Sequence, residues 1–256
     1  MENCKIDLNK KIITFNRLSN EKIVNAFTLK PFDFSSKSKN IKSGEYKTLK
    51  DALGINLTTS KIIKPVQKHT INVQIVDETN INNYFDNTDG LITNLKNFAI
   101  ATSLADCQGI LIYDPNKRVI GNVHSGWRGT LKRIVINAIH LMEEKFNSNP
   151  ADIEIYICPS ILKCCFEVDE DVEILFRNEF KDINIDGFIE TRNKTKNQKF
   201  YIDTVGINRA ILMKEGVKAE NIITSNICTK CNSDKIHSYR ADGKNAGRNL
   251  SIIMMT

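Results

Sequence analysis

Two short apolar runs separated by a turn constrain this chain more than any other feature. Residues 109–113 are apolar, Asp114-Pro115-Asn116 is turn chemistry, and residues 118–123 return to an apolar run. Short apolar runs bounded by Pro and Asn predict a strand–turn–strand hairpin. Cys107 stands just before the first run and His124 at the end of the second. A hairpin would bring this thiol and this imidazole to one edge of a sheet. Zinc accepts both ligand types.

The residues after His124 extend the argument. Ser125-Gly126-Trp127-Arg128-Gly129 leads into Leu131, Ile134, Val135, Ala138, Ile139 and Met142, which are spaced as one helix face. The pattern predicts a helix over 130–146 with Thr130 as its N-cap. Two glycines and Arg128 ahead of a helix start make an anion site, because free N–H groups and the helix dipole favour negative charge. Metal ligands and a phosphate or oxyanion site are therefore expected in one place.

Elsewhere, β-like runs are expected at 11–15, 23–28, 62–66, 73–76, 90–93, 98–102, 153–157, 199–202, 222–224 and 250–254. Helices are expected at 46–53, 169–180 and 204–215 besides 130–146. Interleaved strands and helices imply a mixed α/β sheet system covered by helices. Residues 31–44, rich in Ser, Lys and Asn, read as an exposed loop. A chain of 256 residues can form one large domain with a sizeable core. No apolar run approaches the ~20 residues of a membrane span. The first residues lack the apolar segment of a signal peptide, so the cytoplasm is the expected location. Seven cysteines, an odd number, then read as reduced thiols and ligands rather than a disulfide framework. The net charge of +6 is spread along the chain without a basic cluster among aromatics, which argues against a nucleic-acid partner.

The motifs ADC, HSGWRG, CCFEV, CTKC and SYRADGKNAGR occur here in a characteristic order. From about residue 23 to its C-terminus the chain resembles the YfiH-type laccase-domain family. That family is also called the multicopper polyphenol oxidase or peptidoglycan editing factor family. The resemblance implies a single-domain α–β–β–α sandwich with mixed β-sheets over residues 1–256. It also implies a zinc-dependent purine nucleoside phosphorylase that cleaves adenosine, inosine and 5′-methylthioadenosine with phosphate, with adenosine deaminase side activity. Gln67 and His69 match the family's Gln-x-His motif, so His69 is the implied first ligand beside Cys107 and His124. Three protein ligands leave a fourth position for water or substrate, the mark of a catalytic zinc site.

Arg240 and Arg248 match arginines of the family's C-terminal motif and, with Arg128, are the expected phosphate contacts. Asp106 is the candidate general acid through its adjacency to Cys107. The chain also departs from the family pattern. Residues 28–32 read TLKPF in place of Arg-x-Gly-Gly, with Lys30 standing for the arginine. Lys68 and Thr70 replace a valine and a glycine, Gln108-Gly109 replaces Leu-Pro, and Ala241 replaces an arginine.

Three other functions compete. Copper-based phenol oxidation (copper being the alternative metal) needs many histidines, and the chain has four. A cysteine hydrolase acting on peptidoglycan-type or amide substrates would use Cys107 as nucleophile and His124 as base. A non-enzymatic nucleoside- or metal-binding protein is the third. Cys228-x-x-Cys231 has zinc-knuckle spacing, but no second paired motif is expected to complete four ligands. Cys164-Cys165 and the Cys228/Cys231 pair read instead as pocket lining or core. His140 is expected at the surface and His237 near the C-terminal motif. The expected partners are a purine nucleoside and phosphate, with the chain a monomer or small homo-oligomer.

Overall fold

A computed structural model describes residues 3–20, 23–35, 43–56, 59–192 and 198–256. Two six-stranded sheets dominate it. One runs Cys4–Asp7, Ile12–Phe15, Ile23–Thr28, Asn249–Met255, Phe98–Leu104, Lys61–Ile63 from edge to edge. The other runs Ile222–Thr224, Glu154–Ile157, Gln108–Asp114, Val119–Ser125, Gly90–Thr93, Val73–Ile75. Both are mixed: the first has one parallel edge pair, Lys61–Ile63 on Phe98–Leu104, and the second has one at each edge, Val73–Ile75 on Gly90–Thr93 and Ile222–Thr224 on Glu154–Ile157, among antiparallel neighbours. A small third sheet joins Glu167–Val168, Lys199–Ile202 and Ile189–Arg192.

Side chains alternate across a strand, and that period sorts these residues into layers. Ile100 and Leu104 pack between the two large sheets with Leu111, Tyr113, Tyr156 and Ile253. Their neighbours Ala99 and Ala101 lie on the reverse face, with Leu250, Ile252 and Leu49 of the helix Ser43–Leu53. On the second sheet, Ile110 and Ile112 meet Val135, Ile139 and Met142 of the helix Ile134–Phe146. Ile211 of the helix Thr204–Lys214 joins the same cluster. The order of layers is helix, sheet, sheet, helix, which is the sandwich expected. In the middle layer the fully buried Phe15 and Tyr156 rings meet at 5.3 Å. Such a pair contributes about 0.5–1.5 kcal/mol beyond the area it buries.

The helix expected over 130–146 is in fact two helices, Trp127–Leu131 and Ile134–Phe146, separated at Lys132 and Arg133. Arg133 adopts a left-handed φ of 57°, and its guanidinium binds Glu179 and Asp182, contacts that offset the strain. Thr130 is not an N-cap. It lies within the first helix, which Gly126 caps, and its hydroxyl meets Ser125 and Asn208. The apolar stripe continues through both helices, so periodicity alone does not register the break. The loop expected over 31–44 is also different where it is described. Phe32, Phe34 and Ser35 are buried, and Phe34 packs on Tyr46. Residues 36–42 lie outside the described residues. Among the described residues, no helix is long and apolar enough to cross a membrane.

Candidate metal centre and active site

The hairpin sets the register of the site. Gln108 pairs with Ser125 and Gly109 with His124, so Cys107 stands at the same sheet edge as His124. His69 arrives on the crossover that leaves Lys61–Ile63 of one sheet for Val73–Ile75 of the other. Its Nε2 is 4.0 Å from Cys107 Sγ, and its ring meets the His124 ring edge-on at 4.8 Å. The donor atoms of His69, Cys107 and His124 all lie within 4.8 Å of one another. Two imidazoles and one thiol at this spacing could hold a metal ion, and they suit one of tetrahedral preference with an open fourth position.

Asp89 organises the site, and nothing in the sequence reading singled it out. Its Oδ1 lies 2.7 Å from His124 Nδ1. The same carboxylate accepts the backbone N–H groups of Lys68, His69 and Thr70, at 3.2, 3.1 and 2.7 Å, and the Thr70 hydroxyl at 2.8 Å. Three successive N–H groups aimed at one anion account for the left-handed backbone of His69, φ 59°. With Nδ1 engaged, His124 keeps Nε2 for a metal, the usual carboxylate–histidine arrangement. Burial alone would raise the Asp89 carboxyl, yet the hydrogen bonds from His124 and Thr70 hold it down at about 2. The available signal was a carboxylate directly before the buried strand Gly90–Thr93, which must be paired.

Burial also acts on Cys107 and His124, raising the thiol and lowering the imidazole. Their mutual attraction reverses both shifts, and Asp89 adds to the second. The thiol is drawn down and the imidazole up. Such a thiolate–imidazolium pair is ready to exchange its proton for a metal ion. A Cβ on Gly126 would come within 3.1 Å of both Cys107 Sγ and His69 Cδ2, so glycine there keeps the ligands together.

His69, Cys107 and His124 line a cavity of about 710 Å³ with Asp106, Trp127, Phe166, Tyr239, Arg240 and Arg248. That volume suits a small-molecule site. Asp106, at φ 81°, accepts the Thr229 hydroxyl on Oδ1 and the Arg240 backbone N–H on Oδ2, both at 2.6 Å. Arg240 donates from Nη1 to the Cys165 carbonyl at 3.1 Å. Arg248 donates to the carbonyls of Ala246 and Gly247, and its N–H meets Asp33. Gln108 lines the cavity, but its amide turns to Thr204 and Asn208.

Several expected contacts lie elsewhere. Arg128 is exposed, with its guanidinium 4.0 Å over the Trp127 ring, and it does not line the cavity. Its helix starts at Trp127 rather than Thr130, which turns residue 128 onto another face. Lys30 and Ala241 do not line the cavity either, and Lys30 bonds the Ser233 carbonyl at 2.7 Å. His140 is held by Glu215, and His237 Nε2 by the Phe32 carbonyl. None of the four paired cysteines lines the cavity; Cys228 is in the core and Cys165 packs against it, as expected, while Cys164 and Cys231 are exposed. Cys164, Cys165, Cys228 and Cys231 converge within 4.8 Å of one another, so the chain folding supplies the second pair that the sequence order conceals.

Residues 35–256 match the family described as multi-copper polyphenol oxidoreductase laccase, and the chain belongs to that family. It is 36% identical over 168 residues to purine nucleoside phosphorylase YlmD of Bacillus subtilis. That match takes in 66% of this chain and 59% of the relative, so the chain spans about three fifths of its length. It is 31% identical over 211 residues to adenosine deaminase RL5 of an unknown prokaryotic organism, covering 80% of this chain and 78% of that one. The crystal structure of hypothetical protein YfiH from Bacillus licheniformis shares the fold, with a TM-score of 0.86, 24% identity and 100% of both chains covered.

Proposed function

We propose that this member of the laccase-described family is a purine nucleoside phosphorylase with adenosine deaminase side activity, built around a zinc ion on His69, Cys107 and His124. The observation that carries the reading is the meeting of those three donors in a cavity that Arg240 and Arg248 also line. Relatives named for both activities support it. Expected substrates are adenosine, inosine and 5′-methylthioadenosine, with phosphate.

In phosphorolysis a phosphate oxygen bonds to C1′ as the C1′–N9 bond breaks. The purine leaves with the bonding pair and takes up a proton. Arg240 and Arg248 supply the fixed positive charge that holds phosphate in the cavity. Trp127, Phe166 and Tyr239 offer ring faces to the base. Asp106 accepts the Thr229 hydroxyl and the Arg240 backbone N–H, so it positions Arg240. A zinc ion, when bound, polarises oxygen ligands and lowers the pKa of water to ~7, the chemistry deamination at C6 requires.

The family description names copper, and the histidines argue otherwise. His140 and His237 are engaged outside the site, leaving two imidazoles for a metal. Several coppers need more. A cysteine hydrolase is favoured by one observation, the Cys107–His124–Asp89 chain. His69 beside that thiol favours the metal, since a nucleophile needs only one imidazole.

The test is incubation of zinc-loaded protein with adenosine, with and without phosphate, followed by product chromatography. Free adenine formed only with phosphate is the expected result, with inosine marking deamination. Absence of both products would overturn the proposal.

A further inference from the structure

We infer that Cys164, Cys165, Cys228 and Cys231 form a second metal site, a closed tetrathiolate of the structural zinc type. The four residues come from two turns remote in sequence. Cys164 and Cys165 end the turn after Ile161, and Cys228 and Cys231 bracket a turn of their own. Sulfur separations are 3.7 Å for Cys164–Cys165, 3.8 Å for Cys164–Cys231 and 3.5 Å for Cys165–Cys231. Cys228 completes the set, with all four sulfurs within 4.8 Å.

These distances discriminate between chemistries. Zinc–thiolate bonds of ~2.3 Å in a tetrahedron place the sulfurs ~3.8 Å apart, because a tetrahedral edge is about 1.63 bond lengths. A disulfide would need ~2.05 Å. A lone buried cysteine packs as a small hydrophobe, but Cys164 and Cys231 are exposed. Four protein ligands leave no open position, so this site stabilises structure and does not activate water. On binding, four thiols release their protons and the ion takes four S–Zn bonds, with no change of oxidation state.

The location gives the site a purpose. The Cys165 carbonyl holds the Arg240 guanidinium, and Thr229, next to Cys228, holds Asp106. A metal joining the two turns fixes the backing of the cavity wall that Ile161, Phe166 and Arg240 form.

The experiment is done on full-length protein kept reduced, in the Cys107→Ala background, where the three-ligand centre is gone. Any zinc that remains then reads the cysteine cluster alone, whatever the enzyme activity proves to be. About one zinc per chain should remain, against about two in the parent protein. Cobalt substituted into Cys107→Ala should give the intense sulfur-to-metal bands of a tetrahedral tetrathiolate. Adding Cys164→Ser and Cys231→Ser should remove both metal and bands. If that variant does not fold, a mercurial titration of Cys107→Ala itself decides, with zinc released in step with about four thiols. A Cys107→Ala protein without zinc or cobalt bands overturns the inference, as does zinc that survives loss of the two cysteines or is released without thiol titration.

Discussion

Asp89 Oδ1 lies 2.7 Å from His124 Nδ1, and both side chains are buried. The same carboxylate collects the N–H groups of residues 68–70, so it aims one ligand and shapes the loop of another. Asp89→Asn keeps the size but removes the charge and sets an amide against donors. Zinc affinity should fall about 10–100-fold, read by competition with a chromogenic chelator. An unchanged affinity would mean the carboxylate does not orient the ligands.

Gly126→Ala tests the crowding at the metal centre. The new methyl would lie 3.1 Å from Cys107 Sγ and from His69 Cδ2. The backbone there, φ −74° and ψ 176°, suits any residue, so folding should be spared. Zinc occupancy and turnover should drop together while the melting temperature moves by only a few degrees, within about 1 kcal/mol. Full occupancy in this variant would contradict the geometry.

The acid–base pair predicts a pH profile for zinc-stripped protein. Cys107 is held down at about 6, so its thiolate is present above that pH and is lost as pH falls through it. His124 is held up at about 9, so its imidazolium is present below that pH and is lost as pH rises. The ion pair occupies the window between. Alkylation of the Cys107 peptide by iodoacetamide, followed by mass spectrometry, should be near its plateau at neutral pH and decline below about 6. Cys158, whose thiol burial pushes up, should stay inert. Added zinc should protect Cys107. A rate that rises only in alkaline solution would rule out the ion pair.

Arginine substitutions separate the cavity from its surroundings. Arg240→Ala should raise the KM for phosphate about 10-fold or more, the scale of a lost charge-assisted contact. Arg128→Ala, which removes an exposed guanidinium that does not line the cavity, should change it by less than about twofold. The reverse order of effects would return phosphate to the helix start at Gly126.

Much of the architecture was legible because it is written in short-range pattern. The strands Ile23–Thr28, Gly90–Thr93, Lys199–Ile202 and Ile222–Thr224 fall where their β-branched and aromatic residues place them. The hairpin that joins Cys107 to His124 follows from its turn residues, and Asp114 Oδ1 accepts the N–H groups of Asn116 and Lys117 at 2.9 Å. What stayed hidden depends on long-range geometry. Asp89 sits 35 residues from His124, and the Cys165–Cys231 contact spans 66. The break at Arg133 depends on Glu179 at the end of another helix and Asp182 in the turn after it. No local pattern encodes such meetings.

The crossover carrying His69 is tied to one sheet through Gln67, which exchanges hydrogen bonds with Ser103 at 2.8–3.0 Å, and to the other through Asp89. The hairpin strands beside Cys107 and His124 belong to the second sheet, and Cys107 itself sits on the short link from Leu104 of the first. The three donors would thus work as a strain gauge between the layers: a slip of one sheet over the other would change their spacing at a single point. A truncation deep in the middle layer, such as Leu111→Ala, would be reported at that point even though Leu111 is no part of the cavity wall. The core of this protein is in that sense the calibration of the proposed site, and a loosened interior would show first as a changed spacing of its three donors.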